Sequence, residues 1–325
     1  MKATAIAPSN IAFIKYWGRK QEELRLPENG SISMNLSNLV TTTTVECNPT
    51  FRKDTITINS RKDPDEIRPV LQQLNRIRLL AKSNLKVKVV SKNNFPIGTG
   101  LSSSASGFAA LTLATCESMG LHLSEKELSI LARLGSGSAC RSIPDGFVEW
   151  VDADTSNTSF ARSLYKPTYW DLVNVVAIVS QEKKDVPSSL GQLRAKSSKF
   201  FPVRKAHMKE KITQIKTYLA QKDFQKFGEL VEAEALEMHA IMLTSIPALV
   251  YLTPQSLRVM TCVMKWREQG VPVYFTLNTG QDVHCLCEKK SEKRVVELLG
   301  TIKEVKQIIA NDPSVGARIT SAHLF

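Results

Sequence analysis

The run Pro96-Ile97-Gly98-Thr99-Gly100-Leu101-Ser102-Ser103-Ser104-Ala105-Ser106-Gly107 sets the frame for this chain. Before it, Leu85-Lys86-Val87-Lys88-Val89-Val90 alternates with the period of a strand. After it, Gly107-Phe108-Ala109-Ala110-Leu111-Thr112-Leu113-Ala114 is rich in small helix formers, so the run delivers the chain to a helix N-terminus. Backbone amides and the positive end of the helix dipole then converge on one point. Glycines let the backbone approach closely, and serine hydroxyls add donors or a metal ligand, so the predicted structure is a phosphate cradle. An isolated Gly/Ser run is more often an ordinary polar turn. A second run shifts the balance: Leu134-Gly135-Ser136-Gly137-Ser138-Ala139-Cys140-Arg141-Ser142 repeats the composition and adds a guanidinium whose planar fork suits a carboxylate or a phosphate. It follows a predicted helix, 125–134, opened by the capping-box pair Ser124 and Glu127.

At 325 residues, 42% of them hydrophobic, the chain is long enough for two cores. Its pattern predicts an α+β protein of two domains, 1–172 and 173–325. In the first, strands are expected at 3–7, 32–36, 39–45, 54–59 and 147–151, with a helix over 64–82. In the second, a strand at 173–179 precedes helices at 187–197, 203–221, 223–241 and 254–268. Strands at 271–277 and 283–287, a helix at 291–300 and two short strands close it. The polar stretch 154–167 reads as strand-poor and marks the boundary region.

The formal charge of +12 raises a polyanion such as RNA as a partner. Yet the lysines and arginines are spread along the whole length, without a basic tail or an interleaved aromatic stripe. A basic surface around a site for a small anionic substrate fits equally well. Six cysteines without a CxxC pair, and no leader pattern, predict reduced thiols and a cytoplasmic protein. No apolar run reaches membrane-spanning length.

Two further segments carry chemistry. Ser9 to Lys20 places Lys15, Tyr16, Trp17, Arg19 and Lys20 around Gly18, a mixture that grips phosphate while covering a carbon skeleton. The turn Asn278-Thr279-Gly280-Gln281-Asp282 joins two strands and brings amides and a carboxylate together. His239 lies on an amphipathic helix and His284 between apolar strand neighbours, where hydrogen-bonded structural histidines are the commoner outcome.

Three of these stretches carry a resemblance: Ile14-Lys15-Tyr16-Trp17-Gly18; Asn93-Asn94-Phe95-Pro96 through Gly100-Leu101 to Ser103-Ser104-Ala105; and Gly135 to Ser142. Together they make the chain similar, over nearly its whole length, to the mevalonate diphosphate decarboxylase branch of the galactokinase, homoserine, mevalonate and phosphomevalonate kinase superfamily. The resemblance implies a ribosomal-protein-like N-terminal domain, a ferredoxin-like C-terminal domain, and ATP with Mg²⁺ in the cleft between them. It implies phosphorylation of the tertiary hydroxyl of mevalonate 5-diphosphate or 5-phosphate, then loss of phosphate and CO₂ to leave an isopentenyl product. By match to the family motifs, Asn93, Gly98, Gly100, Ser102, Ser103 and Ser104 are expected to hold ATP, with Ser104 also at the metal and near the transferred group. Arg141 is expected to hold the substrate carboxylate and Ser138 the same end. Lys15, Tyr16, Arg19 and Ser136 are expected to line the substrate phosphate.

Two departures stand out. Arg19 replaces a family lysine. In the C-terminal turn the family reads Asp-Ala-Gly-Pro-Asn, so its aspartate, assigned to orienting or deprotonating the hydroxyl, is here Asn278. An amide orients a hydroxyl but does not take its proton. A kinase that phosphorylates the same hydroxyl and stops is therefore one alternative, and a non-catalytic polyanion or RNA binder another. No nucleic-acid or membrane partner is expected, Asp282 is a weaker substitute for the lost carboxylate, and a homodimer is left open.

Overall fold

The computed structural model describes residues 1–95, 101–180 and 185–325. Gly98 and Gly100 therefore lie outside the described residues. The first domain is built on strands β1 (Lys2–Ile14), β2 (Arg19–Gln21), β3 (Leu26–Pro27), β4 (Ser31–Cys47) and β5 (Thr55–Ile58). Helix α1 (Pro64–Ala81), strand β6 (Val87–Asn93), helices α2 (Ser103–Ser118) and α3 (Glu125–Gly135), and strands β7 (Phe147–Trp150) and β8 (Ala161–Tyr165) follow. β2 and β3 pair as a small ribbon. The main sheet runs in the order β13-β1-β4-β6-β5, with β7 on β4 and β8 on β7, where β13 (Arg318–Thr320) is the last strand of the chain. It pairs antiparallel with β1, so the chain ends on the sheet where it began.

Two expected strands, 32–36 and 39–45, form one long strand, β4, because it serves two partners in succession. Its first part pairs with β7 and with the end of β1, its second with the start of β1 and with β6. β1 also runs further than expected. Its register shifts at Pro8/Asn10 and Ala12/Ile14 interrupt the alternation that marks a strand in sequence. The strand-poor reading of 154–167 is corrected: β8 lies within it. β8 is an edge strand with Ala161 buried and Arg162 and Ser163 exposed, which hides its period.

Helices α1, α2 and α3 cover one face of the main sheet. Ala5, Ala7, Val45, Val89, Leu74, Ala109, Ala110 and Ala114 share that core. The alanines let α2 lie close to the strands. α2 begins at Ser103, earlier than its sequence suggests, because Ala105 and Ser106 are already buried in its first turns.

The second domain has β9 (Leu172–Ile178), α4 (Ser188–Arg194), α5 (Phe201–Gln221), α6 (Phe224–Leu243), α7 (Pro254–Glu268), β10 (Tyr274–Thr276), β11 (Val283–Glu288), α8 (Glu292–Gly300) and β12 (Gln307–Asn311). Its antiparallel sheet runs β10-β11-β9-β12. Alternation sends Val173, Val175, Phe275, Cys285 and Cys287 to one face, under α7 and α8. Val176, Ile178, Tyr274 and Leu286 go to the other, where they meet Ile11, Phe13, Met34 and Phe147 of the first sheet and Phe227 and Val231 of α6. One apolar core therefore joins the two domains. All six cysteines are free thiols, and no helix among the described residues is long and apolar enough to cross a membrane.

A buried ion pair reinforces the junction. Glu234 on α6 and Arg204 on α5 are bonded to each other, both almost wholly shielded from water. Glu234 accepts the backbone N–H of Lys15 at 3.1 Å, and Arg204 donates to the Lys15 carbonyl at 3.1 Å. Glu234→Gln leaves Arg204 buried beside a neutral amide, so a loss of about 3 kcal/mol is expected. Urea denaturation should show a lower midpoint with an unchanged slope. An unchanged midpoint would mean that the pair does not hold the domains together.

Candidate functional site

The end of β1 stops at Ile14 and hands Lys15, Tyr16 and Trp17 to a turn closed by Gly18, whose φ of +95° is open to glycine and strained for other residues. The turn is fixed from the second domain: Gln192 on α4 accepts from the Gly18 N–H at 2.6 Å and donates to the Tyr16 carbonyl at 3.2 Å. Opposite it, a 3₁₀ turn, Gly137–Ser142, follows α3. Gly137 lies against the Tyr16 ring, and a Cβ there would sit 2.7 Å from it. These elements, the start of α2, α4 and the turn after β10 enclose a cleft of about 350 Å³.

Lys15, Tyr16, Arg19, Ser102, Ser103, Ser104, Ser136, Ser138, Arg141 and Asn278 all line this cleft, so the fold brings residues far apart in sequence together. Asn93 does not reach it. It lines an adjoining cavity of about 190 Å³ with Val70, Val89, Ser91, Leu111 and others. Ser103, Ser104, Pro69 and Phe108 face both spaces, so the two cavities meet at the N-terminus of α2. Ser102, at the N-cap with φ 58°, makes no side-chain cap bond, and its carbonyl accepts the Ala105 N–H at 2.8 Å. Ser136 Oγ donates to Ser104 Oγ at 3.3 Å.

Charge in the cleft is one-sided. Lys15, Arg19, Arg25 and Arg141 line it, and its described lining residues include no aspartate, glutamate or histidine. Arg141 is buried and is oriented by neutral oxygens: Nε on Ser33 Oγ at 3.1 Å, one terminal nitrogen on Ser31 Oγ at 2.6 Å, the other on Asn10 Oδ1 at 3.2 Å. Burial lowers its pKa, although a guanidinium stays charged. Burial also lowers that of Lys15 well below 10.5, against the raising field of Glu234 and with further lowering by Arg141 and Arg204. Burial raises the Tyr16 phenol, which accepts from Arg19 Nε at 2.8 Å. Glu22 pairs with Arg19 from outside the cleft, but three buried or half-buried arginines and a buried lysine with no carboxylate among the described lining residues make an anion receptor.

Asn278 stands at the junction. Its Nδ2 donates to Ser102 Oγ at 3.0 Å, its Oδ1 lies 3.5 Å from Lys15 Nζ, and its carbonyl accepts from His239 Nε2 at 3.0 Å. His239 is thus a structural support of the turn. His284 is tied to Asn174 Oδ1 at 3.1 Å within the sheet. Asp282 does not substitute for the family carboxylate: its Oδ1 accepts the Val179 N–H at 3.0 Å, and it is absent from the cleft lining.

Sequence reasoning missed Arg25, Gln192, Ser188 and Thr279. Arg25 sits in a charged run without a motif, and the others reach the cleft only because α4 and the β10–β11 turn fold back over it. Ser188 Oγ and Thr279 Oγ1 meet at 2.5 Å.

Burial lowers His239 to about 4 and His284 to about 3, below an ordinary 6.5. The unfolded chain then binds protons that the folded chain refuses. Stability should be complete above pH 6.5 and fall as the pH drops from there toward about 4. His239→Gln should flatten part of that slope in a urea-midpoint series. An unchanged slope would contradict the burial of a neutral ring.

A family model described as the diphosphomevalonate decarboxylase-like N-terminal domain matches residues 7–161, and one described as the mevalonate 5-diphosphate decarboxylase C-terminal domain matches 174–318. The diphosphomevalonate decarboxylase of Candida albicans is 35% identical over 91% of this chain and 87% of its own. The human one is 35% identical over 85% and 74%. A structure of MDDEF in complex with MVAPP, AMPPCP and magnesium superimposes with a TM-score of 0.93 at 36% identity, covering 98% of this chain and 99% of that one. Mevalonate diphosphate decarboxylase from Staphylococcus aureus gives 0.93, 36%, 98% and 98%.

Proposed function

This chain belongs to the diphosphomevalonate decarboxylase family, and from that premise we propose that it decarboxylates mevalonate 5-diphosphate in an ATP-dependent reaction that yields the isopentenyl product. The observation that carries the reading is the cleft itself: Arg141, Lys15, Arg19 and Arg25 surround one space with no carboxylate among its described lining residues. Such a space suits a substrate that is anionic at both ends.

In this reading the phosphates of ATP lie at the N-terminus of α2, where Ser102, Ser103 and Ser104 line the cleft. The base occupies the adjoining cavity beside Asn93, Val70, Val89 and Leu111. The hydroxyl oxygen of Ser104, which lines the cleft, would hold Mg²⁺, a hard cation that takes oxygen ligands, and the ion would supply neutralisation of charge on the transferred group. The relative solved with MVAPP, AMPPCP and magnesium supports a reading in which nucleotide, substrate and metal are bound together.

Arg141 holds the substrate carboxylate with its fork, aided by Ser138. Tyr16, Arg19, Arg25 and Ser136 hold the 5-diphosphate, and Lys15 faces the tertiary hydroxyl beside Asn278. Asn278 orients the tertiary hydroxyl. The hydroxyl oxygen takes the γ-phosphoryl group, ADP leaves, and the C–O bond to the new phosphate then breaks. The electrons of the bond to the carboxylate form the alkene, and CO₂ and phosphate depart. Arg141 restrains the carboxylate until that moment, and the cations spread the growing negative charge.

One observation favours a second reading, phosphorylation without decarboxylation: position 278 is an amide. The two differ in product. Mevalonate and its 5-phosphate and 5-diphosphate, each offered with Mg-ATP, should give ADP and CO₂ in equal amounts from the diphosphate. ADP with a stable 3-phosphorylated acid would favour the kinase reading, and no ADP from any of them would contradict both.

Two substitutions sharpen the assignment. Arg141→Lys should lose about 2 kcal/mol or more of transition-state stabilisation with the fold intact, because an ammonium does not reproduce a bidentate grip. Near-native kcat/KM would remove Arg141 from the site. Asn278→Asp should speed the first step by up to roughly 10²-fold, since it adds a proton acceptor. A variant no faster than the native chain would show that no acceptor is wanting at that position.

A further inference from the structure

The missing carboxylate leaves a question of proton balance, since forming the ester on the tertiary hydroxyl releases one proton. Within the described cleft lining there is no aspartate, glutamate or histidine, and arginine does not accept a proton. Tyr16 is held as a neutral phenol by burial. Among the described lining residues one side chain remains that can act as a base, Lys15.

Its surroundings fit an amine better than an ammonium. Lys15 is almost wholly buried, and among the described residues Nζ has two acceptors, Ala12 O at 2.7 Å and, at longer range, Asn278 Oδ1 at 3.5 Å. A neutral amine has two N–H groups for those two acceptors, which leaves its lone pair for the cleft that Lys15 lines. An ammonium has a third N–H to satisfy. The charged groups facing it are Arg141 on the 3₁₀ turn and Arg204 on α5, which oppose a further positive charge, and Glu234 on α6, which favours it. Glu234 is already shared with Arg204 and Lys211. His239 on α6 and His284 on β11 are neutral at working pH and add no charge. The decisive partner is position 278. A carboxylate at this distance would hold Lys15 as an ammonium, whereas an amide does not.

We infer that Lys15, as a neutral amine, takes the proton of the tertiary hydroxyl, so that the exchange of carboxylate for amide at position 278 transfers the base to Lys15 instead of abolishing it. This rests on the proposed decarboxylase reading. As the hydroxyl oxygen bonds to the γ-phosphorus, the O–H bond breaks and its proton passes to Nζ. The bond from the γ-phosphorus to the ADP oxygen breaks, and ADP leaves with that electron pair. The resulting ammonium faces the newly phosphorylated oxygen and gives its proton to water once the products have gone.

The test joins a titration to a rate. In the native chain, the Lys15 side chain is titrated by ¹³C NMR at Cε, and single-turnover rates with Mg-ATP and mevalonate 5-diphosphate are followed across pH. The rate should rise with pH over the same midpoint as Lys15, below 10.5. In Asn278→Asp the Lys15 midpoint should move up while the rate's acid limb moves down, because the carboxylate becomes the acceptor. Lys15→Met should lose about 10²-fold in the single-turnover rate together with the limb, and adding Asn278→Asp to it should restore about tenfold or more. A Lys15 that stays protonated up to the ordinary lysine value overturns the inference without any need for the Lys15 variant to fold. So does a Lys15→Met chain that keeps the native limb and changes only KM. Absence of ADP formation from every mevalonate derivative overturns this inference and the decarboxylase reading together, whereas ADP formation with a limb indifferent to Lys15 overturns this inference alone.

Discussion

Positive charge held out of water without a carboxylate to answer it is the constraint on which this structure depends. Arg141 is buried among Ser31, Ser33 and Asn10, whose oxygens orient a guanidinium but carry no charge. Desolvating such groups costs several kcal/mol each, and polar but neutral neighbours offset only part of that. The remaining cost is recovered when an anion enters, so the fold stores a preference for an anionic ligand in its own electrostatics. The serines at the start of α2 extend that preference along one wall of the cleft.

Holding these side chains there takes both domains. Lys15 belongs to the first domain by sequence, yet its peptide is clasped by Arg204 and Glu234 of the second. Gln192 of α4 clasps the peptides on either side of Trp17 in the same way. The apolar core shared by the two sheets supplies the cohesion, and these polar grips set the position of one short turn. Because the turn is fixed at the backbone, the side chains of Lys15, Tyr16 and Arg19 reach the cleft with their orientation already decided.

Much of this was legible in the residues. The two Gly/Ser runs, the Lys15 turn and Arg141 are local patterns, and local patterns survive in sequence because one backbone conformation demands them. The capping box at Ser124 and Glu127 appears as read, with Glu127 Oε2 accepting the Ser124 N–H at 2.8 Å. What stayed hidden is what only the fold creates. β8 has too polar an edge to announce itself, and β1 and β4 are longer than their alternation suggests because their register shifts. Arg25 and Gln192 carry no motif, and nothing in the spacing of Glu234 and Arg204 says that they meet at Lys15. Asp282 illustrates the converse. Its place four residues after Asn278 invites a catalytic role, but the turn sends its carboxylate to the Val179 N–H at the end of β9.

The central claim is that this cleft, with no carboxylate among its described lining residues, runs its reaction through a phosphate ester on the tertiary hydroxyl. Substrate carrying ¹⁸O at that hydroxyl tests it most directly, with the label followed by mass spectrometry into the products. The account predicts that the label appears in inorganic phosphate as CO₂ is released. Label found in water instead, with unlabelled phosphate, would contradict it, because the oxygen would then have left without ever having been bonded to phosphorus.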